Sequence, residues 1–351
     1  MGAVTQDKIS FLHSLIQESD RIVIVSHNHP DGDAAGSSTA LMHFIRNTLG
    51  RSAEVILPSP LPDSLGFLCD SGVSTACDDP ARADLAIASA DLIICLDLNT
   101  FSRTDILECA LASSRAPKVL IDHHLHPDLD KFILAFSETE VSSTCELLYG
   151  ILLEMPEIAG AASRLPVESA TALMTGMTTD TNNFANSVFP GTLRMASELL
   201  AAGVDRDFIL DKVFNSYREN RLRAMGWMLD SNMTITEHGI AYMILKASDL
   251  ERFDLREGET ESFVNLPLAV ETVKMTILLK EDKAGYFRVS VRSKKGVSAN
   301  RLAGMHFHGG GHEQAAGGRL YWPDDIASPD EAAQYIEQVT ARYMQNQTPS
   351  E

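Results

Sequence analysis

The sequence predicts an α/β protein in which a parallel-sheet domain with flanking helices is followed by a helical linker and a smaller α/β domain. Two observations support this fold class. Apolar runs of strand length alternate with helix-like segments through the first half of the chain, and a second strand-rich region begins near residue 240. With 351 residues, the chain also exceeds the size at which one hydrophobic core usually keeps growing, so two domains are expected.

The alternation in the first half is the pattern of βαβ units and a parallel sheet. Strand-like segments lie at 21–26, 53–57, 91–97 and 118–122, and helix-like segments lie at 34–49 and 104–113. Further helices are predicted at 143–154, 167–178 and 193–202. The last of them ends at Gly203, a residue type that commonly stops helices. The first domain is therefore predicted to span 1–191.

Mixed helical periodicity over 192–235 predicts a helical linker. The second domain is predicted to span 236–351, where strands and helices alternate again. Its strands are predicted at 240–245, 273–279 and 286–292, and its helices at 299–305 and 330–344.

Composition excludes several classes of function. No apolar stretch reaches the roughly 18 residues needed to span a bilayer, so we expect no membrane partner. The amino terminus lacks the pattern of a signal peptide, and the five cysteines lack CxxC spacing, so we predict reduced thiols and a cytoplasmic protein. The formal net charge of −19 opposes binding to long duplex nucleic acid, which requires many Lys and Arg contacts. A short RNA or a nucleotide held by metal ions is compatible with this charge.

Acidic and imidazole side chains cluster where apolar runs end. In an open parallel sheet, ligands bind in the crevice outside the carboxyl ends of the strands, so residues that end separate strands meet in space. Carboxylates and imidazoles are typical ligands of divalent cations. The predicted metal ligands are His27, Asp31, Asp33, Asp97, His123 and Asp180.

The first of these clusters has a structural alternative. Asp31 and Asp33 could simply cap the helix that is predicted to begin near Ala34, because Asp is a preferred capping residue. Asp97 and His123, in contrast, follow or close apolar segments at positions where no cap is needed. Taken together, the clusters favour a metal centre over capping.

None of the clusters contains cysteine, which favours Mn²⁺ or Mg²⁺ over structural zinc. The histidine content favours Mn²⁺, with Mg²⁺ as the alternative. Two such ions about 4 Å apart can activate a water and stabilise both the attacking and the leaving oxygen of a phosphoester displacement. The clusters therefore indicate a two-metal phosphoesterase.

The second domain contains a glycine run with basic neighbours. Successive glycine N–H groups can form an anion-binding nest, and arginines can pair with phosphates, although a glycine run by itself is more often a flexible turn. Eight basic and three acidic residues lie between 280 and 320, against the negative charge of the whole chain. The predicted substrate-binding residues are Arg292, Ser293, Asn300, Arg301, Gly309, Gly310, Gly311 and His312.

The amino-terminal clusters, over roughly residues 15–185, resemble the motifs of the DHH phosphoesterase superfamily, which includes RecJ-type exonucleases and family II inorganic pyrophosphatases. The segment 287–318, which contains the GGGH string, resembles the DHH-associated carboxyl-terminal domain. By this resemblance, the active site would lie in the cleft between the domains. One ion would be held by His27, Asp31 and Asp97, and Asp97 would bridge to the other. The second ion would be held by Asp33, Asp97, His123 and Asp180.

The resemblance also implies catalytic roles for Asp97, Asp122 and His124. His124 would face the scissile phosphate, and Asp122 would orient the histidines, as carboxylates often do for imidazole ligands. The GGGHxxAAG and VRS strings are most similar to the branch of bifunctional oligoribonucleases and pAp phosphatases. The implied activity is hydrolysis of short oligoribonucleotides, dinucleotides such as pApA, and 3′-phosphoadenosine 5′-phosphate (pAp). The alternatives are a RecJ-like single-strand exonuclease and a non-catalytic nucleotide-sensing protein, and a homodimer is compatible with the sequence.

Overall fold

The computed structural model describes residues 4–256, 258–260, 262–282 and 285–345. The chain divides into two compact units, Met1–Ser216 and Tyr217–Glu351. Within the described ranges, no helix combines the length and the apolar character needed to cross a membrane. Each unit has a sheet and hydrophobic cores of its own.

The first unit is built on a six-stranded parallel sheet, which confirms the predicted fold class. Its strand order, 3-2-1-4-5-6, is that of a doubly wound fold, and the order reverses between the first and fourth strands. The short third and sixth strands were not predicted. The strands are β1 (Ile22–Val25), β2 (Ala53–Leu57), β3 (Val73–Thr75), β4 (Leu92–Leu96), β5 (Lys118–Asp122) and β6 (Leu134–Ser137).

Both faces of this sheet are buried. Ile22 and Ile24 of β1 enter one hydrophobic core, while Val23 and Val25 enter the core on the opposite face. Burial on both faces explains why the strands are continuous apolar runs rather than alternating ones. The helices of this unit are α1 (Gln6–Glu18), α2 (Gly32–Asn47), α3 (Pro80–Ser89), α4 (Glu108–Ser113), α5 (Thr144–Leu153), α6 (Val167–Asp180), α7 (Pro190–Ala201) and α8 (Arg206–Phe214).

The single helix expected at 104–113 is wrong in its first part. Phe101–Leu107 forms a 3-10 segment, and α4 begins only at Glu108. The break lies within the first segment at Asp105, whose φ of 50° is incompatible with a continuous right-handed helix. The Asp105 carboxylate accepts a hydrogen bond of 2.8 Å from the Asn28 side chain, a tertiary contact that favours this break.

The segment 192–235, which was expected to be a linker, is divided between the two units. Met195 of α7 and Ile209 of α8 lie in a core of the first unit. Ala224 and Met228, in contrast, lie in a core of the second unit. The division falls at Ser216 because the apolar faces of α7 and α8 pack into a core of the first unit, against α5 and α6, rather than spanning between domains.

The second unit contains a mixed sheet of six strands in the order 11-12-10-9-8-7. Its strands β8 and β9 are parallel, and the other neighbouring strands are antiparallel. The strands are β7 (Thr234–Ile235), β8 (Ile240–Leu245), β9 (Met275–Asp282), β10 (Tyr286–Ser293), β11 (Gly310–Gly311) and β12 (Ala315–Tyr321). The helices are α9 (Glu219–Trp227), α10 (Ala247–Arg252), α11 (Ala299–His306) and α12 (Ala332–Gln345).

Candidate metal centre

The first unit carries a cluster of acidic and imidazole side chains at the carboxyl edge of its sheet. β1 and β4 are neighbours, and the strand order reverses between them. At such a switch point the connections leave to opposite faces, which opens a crevice. His27 follows β1 by two residues, Asp97 follows β4 directly, and Asp122 closes β5. The topology therefore brings these three residues to one crevice.

Two helices add the remaining carboxylates. Asp33 lies in the first turn of α2, and Asp180 is the last residue of α6. The two helices cross so closely that a Cβ on Gly36 would lie 2.6 Å from the Ala172 carbonyl oxygen and 3.0 Å from the Gly176 nitrogen. Contacts of this length exclude larger side chains, so the glycines permit the crossing.

The first potential ligand set consists of His27, Asp31 and Asp97. The His27 Nε2 atom lies 3.8 Å from Asp31 Oδ1 and 3.3 Å from Asp97 Oδ2. The other ring nitrogen, Nδ1, lies 2.9 Å from the Asn28 carbonyl oxygen, to which it can only donate. This arrangement directs Nε2 towards the carboxylates. Metal-binding histidines commonly donate their other ring N–H to a backbone carbonyl in the same way.

The second potential ligand set consists of His123 and three carboxylates. The His123 Nε2 atom lies 3.6 Å from Asp97 Oδ1, 3.6 Å from Asp180 Oδ2 and 3.8 Å from Asp33 Oδ2. These separations are too long for hydrogen bonds. Neighbouring ligands about 2.1 Å from a shared cation are about 3.0 to 3.4 Å apart, so the side chains require little movement to bind one.

Asp97 belongs to both sets, because Oδ2 faces His27 and Oδ1 faces His123. The residue has a φ of 58°, in the left-handed region that few non-glycine residues adopt. Thr144 donates a hydrogen bond of 3.0 Å from its hydroxyl to Asp97 Oδ1. A buried carboxylate with one oxygen in each ligand set is suited to bridging two cations.

The electrostatics of the cluster also favour bound cations. Burial, together with the charges of Asp97 and Asp180, raises the pKa of Asp33 well above its usual range. Burial alone would lower the pKa of His27, but the neighbouring carboxylates of Asp31 and Asp97 raise it to about 10. Both shifts result from an excess of negative charge away from water. Divalent cations would neutralise this excess, so the donor set fits divalent metal binding.

Asp31 does cap a helix, as the structural alternative predicted. Asp31 is the N-cap of α2, and its Oδ1 atom accepts hydrogen bonds from the backbone N–H groups of Asp33 and Ala34. About half of its side-chain surface remains exposed, and the same carboxylate faces His27. Capping and ligand placement are therefore compatible, because the cap holds the carboxylate at the edge of the crevice.

Asp122, His124 and Arg103 form a chain beside this cluster. The His124 Nδ1 atom lies 2.7 Å from Asp122 Oδ1. On the other side of the ring, the Arg103 Nη1 atom lies 2.9 Å from His124 Nε2. Because a guanidinium can only donate, Nε2 must accept, and the ring proton lies on Nδ1 towards Asp122. Burial, opposed by the contact with Asp122, lowers the pKa of His124. Asp122 thus contacts the imidazole of His124, and its role in catalysis stays a prediction from the resemblance.

Sequence reasoning missed three supporting groups. The backbone N–H groups of Thr144 and Cys145 donate to the two oxygens of Asp33, at 2.7 and 2.9 Å. Both lie in the first turn of α5, so the predicted helix start near residue 143 was a usable signal for an anion-binding helix terminus. Arg103 had no comparable signal, because it lies in the irregular segment after Asp97.

In the second unit, the predicted substrate-binding residues gather around the glycine run. Arg292 pairs with Ala315 across β10 and β12, and Asn300 lies in the first turn of α11. Asn300 Oδ1 accepts a hydrogen bond of 2.9 Å from the N–H of Gly311, whose φ is 146°. The Ser293 hydroxyl donates to the Val297 carbonyl oxygen at 2.6 Å. These contacts give Asn300 and Ser293 roles in shaping the loop.

Arg301 is exposed, while Arg292 and His312 are half-buried. Gly309 and Gly310 are exposed beside them. Their contact with a substrate stays a prediction.

Comparison with known proteins identifies both units. Residues 21–177 match the DHH family, N-terminal domain, and residues 239–340 match the DHHA1 domain. A probable bifunctional oligoribonuclease and PAP phosphatase of Streptococcus mutans is 29% identical over 312 residues, which are 87% of this chain and 91% of that protein. Among solved structures, an exopolyphosphatase-related protein of Bacteroides fragilis is 36% identical, with 99% of each chain covered and a TM-score of 0.88.

RecJ of Thermus thermophilus, solved in complex with Mn²⁺, shares the fold at 14% identity and a TM-score of 0.56. The match covers 97% of this chain and 54% of RecJ. Apart from Asp180, the residues of the two ligand sets lie within the first matched domain, and the glycine run lies within the second. The chain therefore belongs to the DHH phosphoesterase family, a family of hydrolases, and combines a DHH N-terminal domain with a DHHA1 domain.

Proposed function

We propose that this enzyme hydrolyses phosphoester bonds in very short RNA, in dinucleotides such as pApA, and in pAp. The observation that carries the proposal is the pair of ligand sets that share Asp97, one through each carboxylate oxygen. This arrangement suits phosphoester hydrolysis because two adjacent cations can assist both the attacking and the leaving oxygen. The named activity of the Streptococcus mutans relative supports the choice of substrates.

Two divalent cations, Mn²⁺ in this proposal and Mg²⁺ as the alternative, would supply Lewis acidity and lower the pKa of water when bound. His27, Asp31 and Asp97 would hold one of them. Residues of the second set would hold the other, namely Asp33, Asp97, His123 and Asp180. The fold of RecJ, which binds Mn²⁺, supports the choice of manganese.

Three residues of the chain would contact or orient the phosphate group. The Arg103 guanidinium offers charged N–H donors, which bind phosphate oxygens strongly. Asp122 holds the ring plane of His124, so the imidazole keeps Nε2 directed at the position where Arg103 now donates. We therefore assign phosphate contact to Arg103 and to His124, whose Nε2 would donate to a phosphate oxygen when the ring is protonated, and the positioning of His124 to Asp122.

The second unit would bind the rest of the nucleotide. Arg292, Arg301 and His312 supply cationic or N–H donor groups around a glycine loop, where backbone can approach a phosphate closely. Proteins that act on oligonucleotides need such groups because each phosphate carries a charge. The surplus of basic residues between 280 and 320 supports this role in a chain of net charge −19.

The two alternatives differ in substrate length and turnover. A RecJ-like exonuclease would degrade long single strands, and a nucleotide-sensing protein would bind without hydrolysis. The complete ligand sets support an active enzyme over a sensor.

All five cysteines are free thiols, which supports a reducing, cytoplasmic setting.

The test is a time course with Mn²⁺ on labelled RNA of two to five nucleotides, pApA, pAp, a long RNA strand and inorganic polyphosphate. Polyphosphate is included because of the exopolyphosphatase-related structure. We expect rapid hydrolysis of the short RNAs and pAp, with little on the long strand. Faster hydrolysis of the long strand would favour the exonuclease, and consumption of polyphosphate alone would overturn the nucleotide assignment. Binding of pAp without any product would favour the sensor.

A further inference from the structure

One face of the second sheet remains accessible on β10 and β12. Along β10, the side chains of Phe287, Val289 and Val291 are buried in the core that also contains residues of α11 and α12. The alternate residues point to the opposite face, where they are half-buried. These are Tyr286, Arg288, Ser290 and Arg292. On the same face of β12, Gly317 and Arg319 are exposed.

The strand register arranges this face in rows. Arg288 pairs with Lys280 of β9 on one side and with Arg319 of β12 on the other, which forms a row of three cations. Two residues further along, Tyr286 pairs with Tyr321. Directly paired residues project to the same side of a sheet, so both rows share the accessible face. We call these five residues the Arg–Tyr face.

Aromatic contacts extend the tyrosine row. The rings of Tyr286 and Tyr321 have centroids 5.5 Å apart, and the His308 ring lies 5.5 Å from that of Tyr321. The Arg319 guanidinium lies 5.2 Å from the centre of the Tyr286 ring. Single-stranded nucleic acids bind to surfaces of this kind, where bases stack on aromatic rings and cations contact the backbone.

The charge of the Arg–Tyr face is opposite to that of the chain as a whole. It contains three cations, and Asp282, which accepts a hydrogen bond of 3.0 Å from Arg288 Nε, is the acidic residue paired with Tyr286. The full chain has a net charge of −19. A row of three cations therefore favours a polyanion over an acidic or apolar protein surface as the partner.

We propose that the Arg–Tyr face binds the part of a single-stranded oligoribonucleotide that extends beyond the nucleotide held at Arg292. This inference rests on the proposed function, because it assumes that Arg292 binds a phosphate of the substrate. The additional nucleotides would then continue from Arg292 along β10. A strand rises about 3.3 Å per residue, so Arg288 lies about 13 Å and Tyr286 about 20 Å from Arg292 along β10. A substrate of two nucleotides would end near Arg292, whereas a pentanucleotide would extend along β10 to the cations and then to the tyrosines.

The proposal predicts an effect that depends on substrate length. Arg288 and Arg319 would contact phosphates that pAp and dinucleotides lack. Replacing both by Gln should therefore weaken binding of a pentanucleotide about tenfold and leave a dinucleotide within twofold. For single strands, the logarithm of the binding constant falls with the logarithm of salt concentration by about 0.7 per phosphate contact, so the slope should decrease by about 1.4.

The experiment measures fluorescence anisotropy of labelled RNA dimers and pentamers with full-length protein carrying Asp97→Asn, which blocks turnover. The variants are Arg288→Gln with Arg319→Gln, the same pair changed to Lys, and Tyr321→Leu. Arg342→Gln is the matched control, since Arg342 is exposed on α12, whose buried residues pack against the other face of the sheet. We expect the Lys pair to retain most of the affinity, and Tyr321→Leu to weaken the pentamer about fivefold.

Equal weakening of dimer and pentamer, or no change for either, would overturn the assignment of the Arg–Tyr face and leave it a solvated surface. Failure of the proposed function gives a different result. In that case, wild-type protein would hydrolyse neither pAp nor dinucleotides. Hydrolysis of these short substrates, combined with length-independent binding, would reject the Arg–Tyr face alone.

Discussion

The two units place their charged residues in opposite ways. In the first unit, the central carboxylates of the candidate metal centre are withdrawn from water, with Asp33 only 1% and Asp97 only 2% exposed. In the second unit, the cations of β10 and β12 lie on an accessible sheet face. Buried charges are held in fixed positions by their neighbours and act strongly at short range. Accessible charges are better suited to recognising a partner that arrives from solution.

This contrast has a kinetic consequence. Changes in the first unit should mainly reduce turnover and metal binding, because they disturb the groups proposed to hold the metal ions and contact the reacting phosphate. Changes in the second unit should mainly raise KM, because they remove binding that is shared by the substrate and the transition state. The following predictions test the contrast, from the largest expected effect to the smallest.

Asp97→Asn should have the largest effect. Loss of a carboxylate that faces both ligand sets removes several kcal/mol of charge stabilisation, so we expect kcat to fall roughly a thousandfold or more. Bound Mn²⁺, measured by equilibrium dialysis and elemental analysis, should decrease as well. Asp91→Asn is the matched control, because Asp91 lies at the other end of β4 in an exposed pair with Arg21. A variant that keeps both ions and full turnover would refute the bridging role.

Thr144→Val should have an intermediate effect. The substitution keeps the shape of the side chain and the backbone N–H that binds Asp33, but it removes the hydroxyl bond to Asp97. Loss of such a support for a ligand typically weakens metal affinity or activity 10- to 100-fold. Calorimetric titration with Mn²⁺ measures the affinity.

The control for this experiment is Thr175→Val, because that buried hydroxyl bonds only within α6, to the Thr171 carbonyl oxygen. If both valine variants bind Mn²⁺ like the wild type, the Thr144 hydroxyl has no role in placing Asp97.

Arg292→Gln tests the second unit. A charge-assisted hydrogen bond contributes about 1.5 to 3 kcal/mol, so we expect kcat/KM for pAp to fall about 10- to 100-fold, mainly through KM. Steady-state kinetics at saturating Mn²⁺ separate the two constants, and Arg342→Gln should leave both unchanged. A loss confined to kcat would contradict the division of roles between the units.

Gly176→Ala should have the smallest effect, a modest loss of stability. A Cβ at this position would overlap the Cys145 sulfur of α5 and approach the Asp33 Cα atom of α2, so α6 would have to move away from both helices. Overpacking of this kind costs about 1–3 kcal/mol, which corresponds to a decrease of about 2–10 °C in Tm. Calorimetry of the metal-free protein measures this decrease.

Gly150→Ala provides the comparison, because a Cβ there meets nothing within 4 Å and alanine favours the helix. The Tm of that variant should stay the same or rise. Equal Tm values for the two alanine variants would mean that the crossing of α2 and α6 tolerates a side chain.

Local sequence patterns determined much of this protein. Apolar runs of strand length identified β1, β2, β4 and β5, because a parallel strand buried on both faces is apolar throughout. The acidic and imidazole residues after those runs indicated the candidate ligands, because the carboxyl ends of parallel strands face one crevice. The GGGH string and its arginines identified the second domain by resemblance, and the domain match agrees.

Only the tertiary structure decided how these residues are paired and supported. Thr144 and Asp33 are 111 positions apart, so no local spacing links them, yet the start of α5 meets the first turn of α2. The same holds for the break at Asp105, for Arg103 beside His124, and for the end of the first unit at Ser216. Periodicity reports which side of an element is buried, whereas the contacts made by that side depend on how the elements pack against one another.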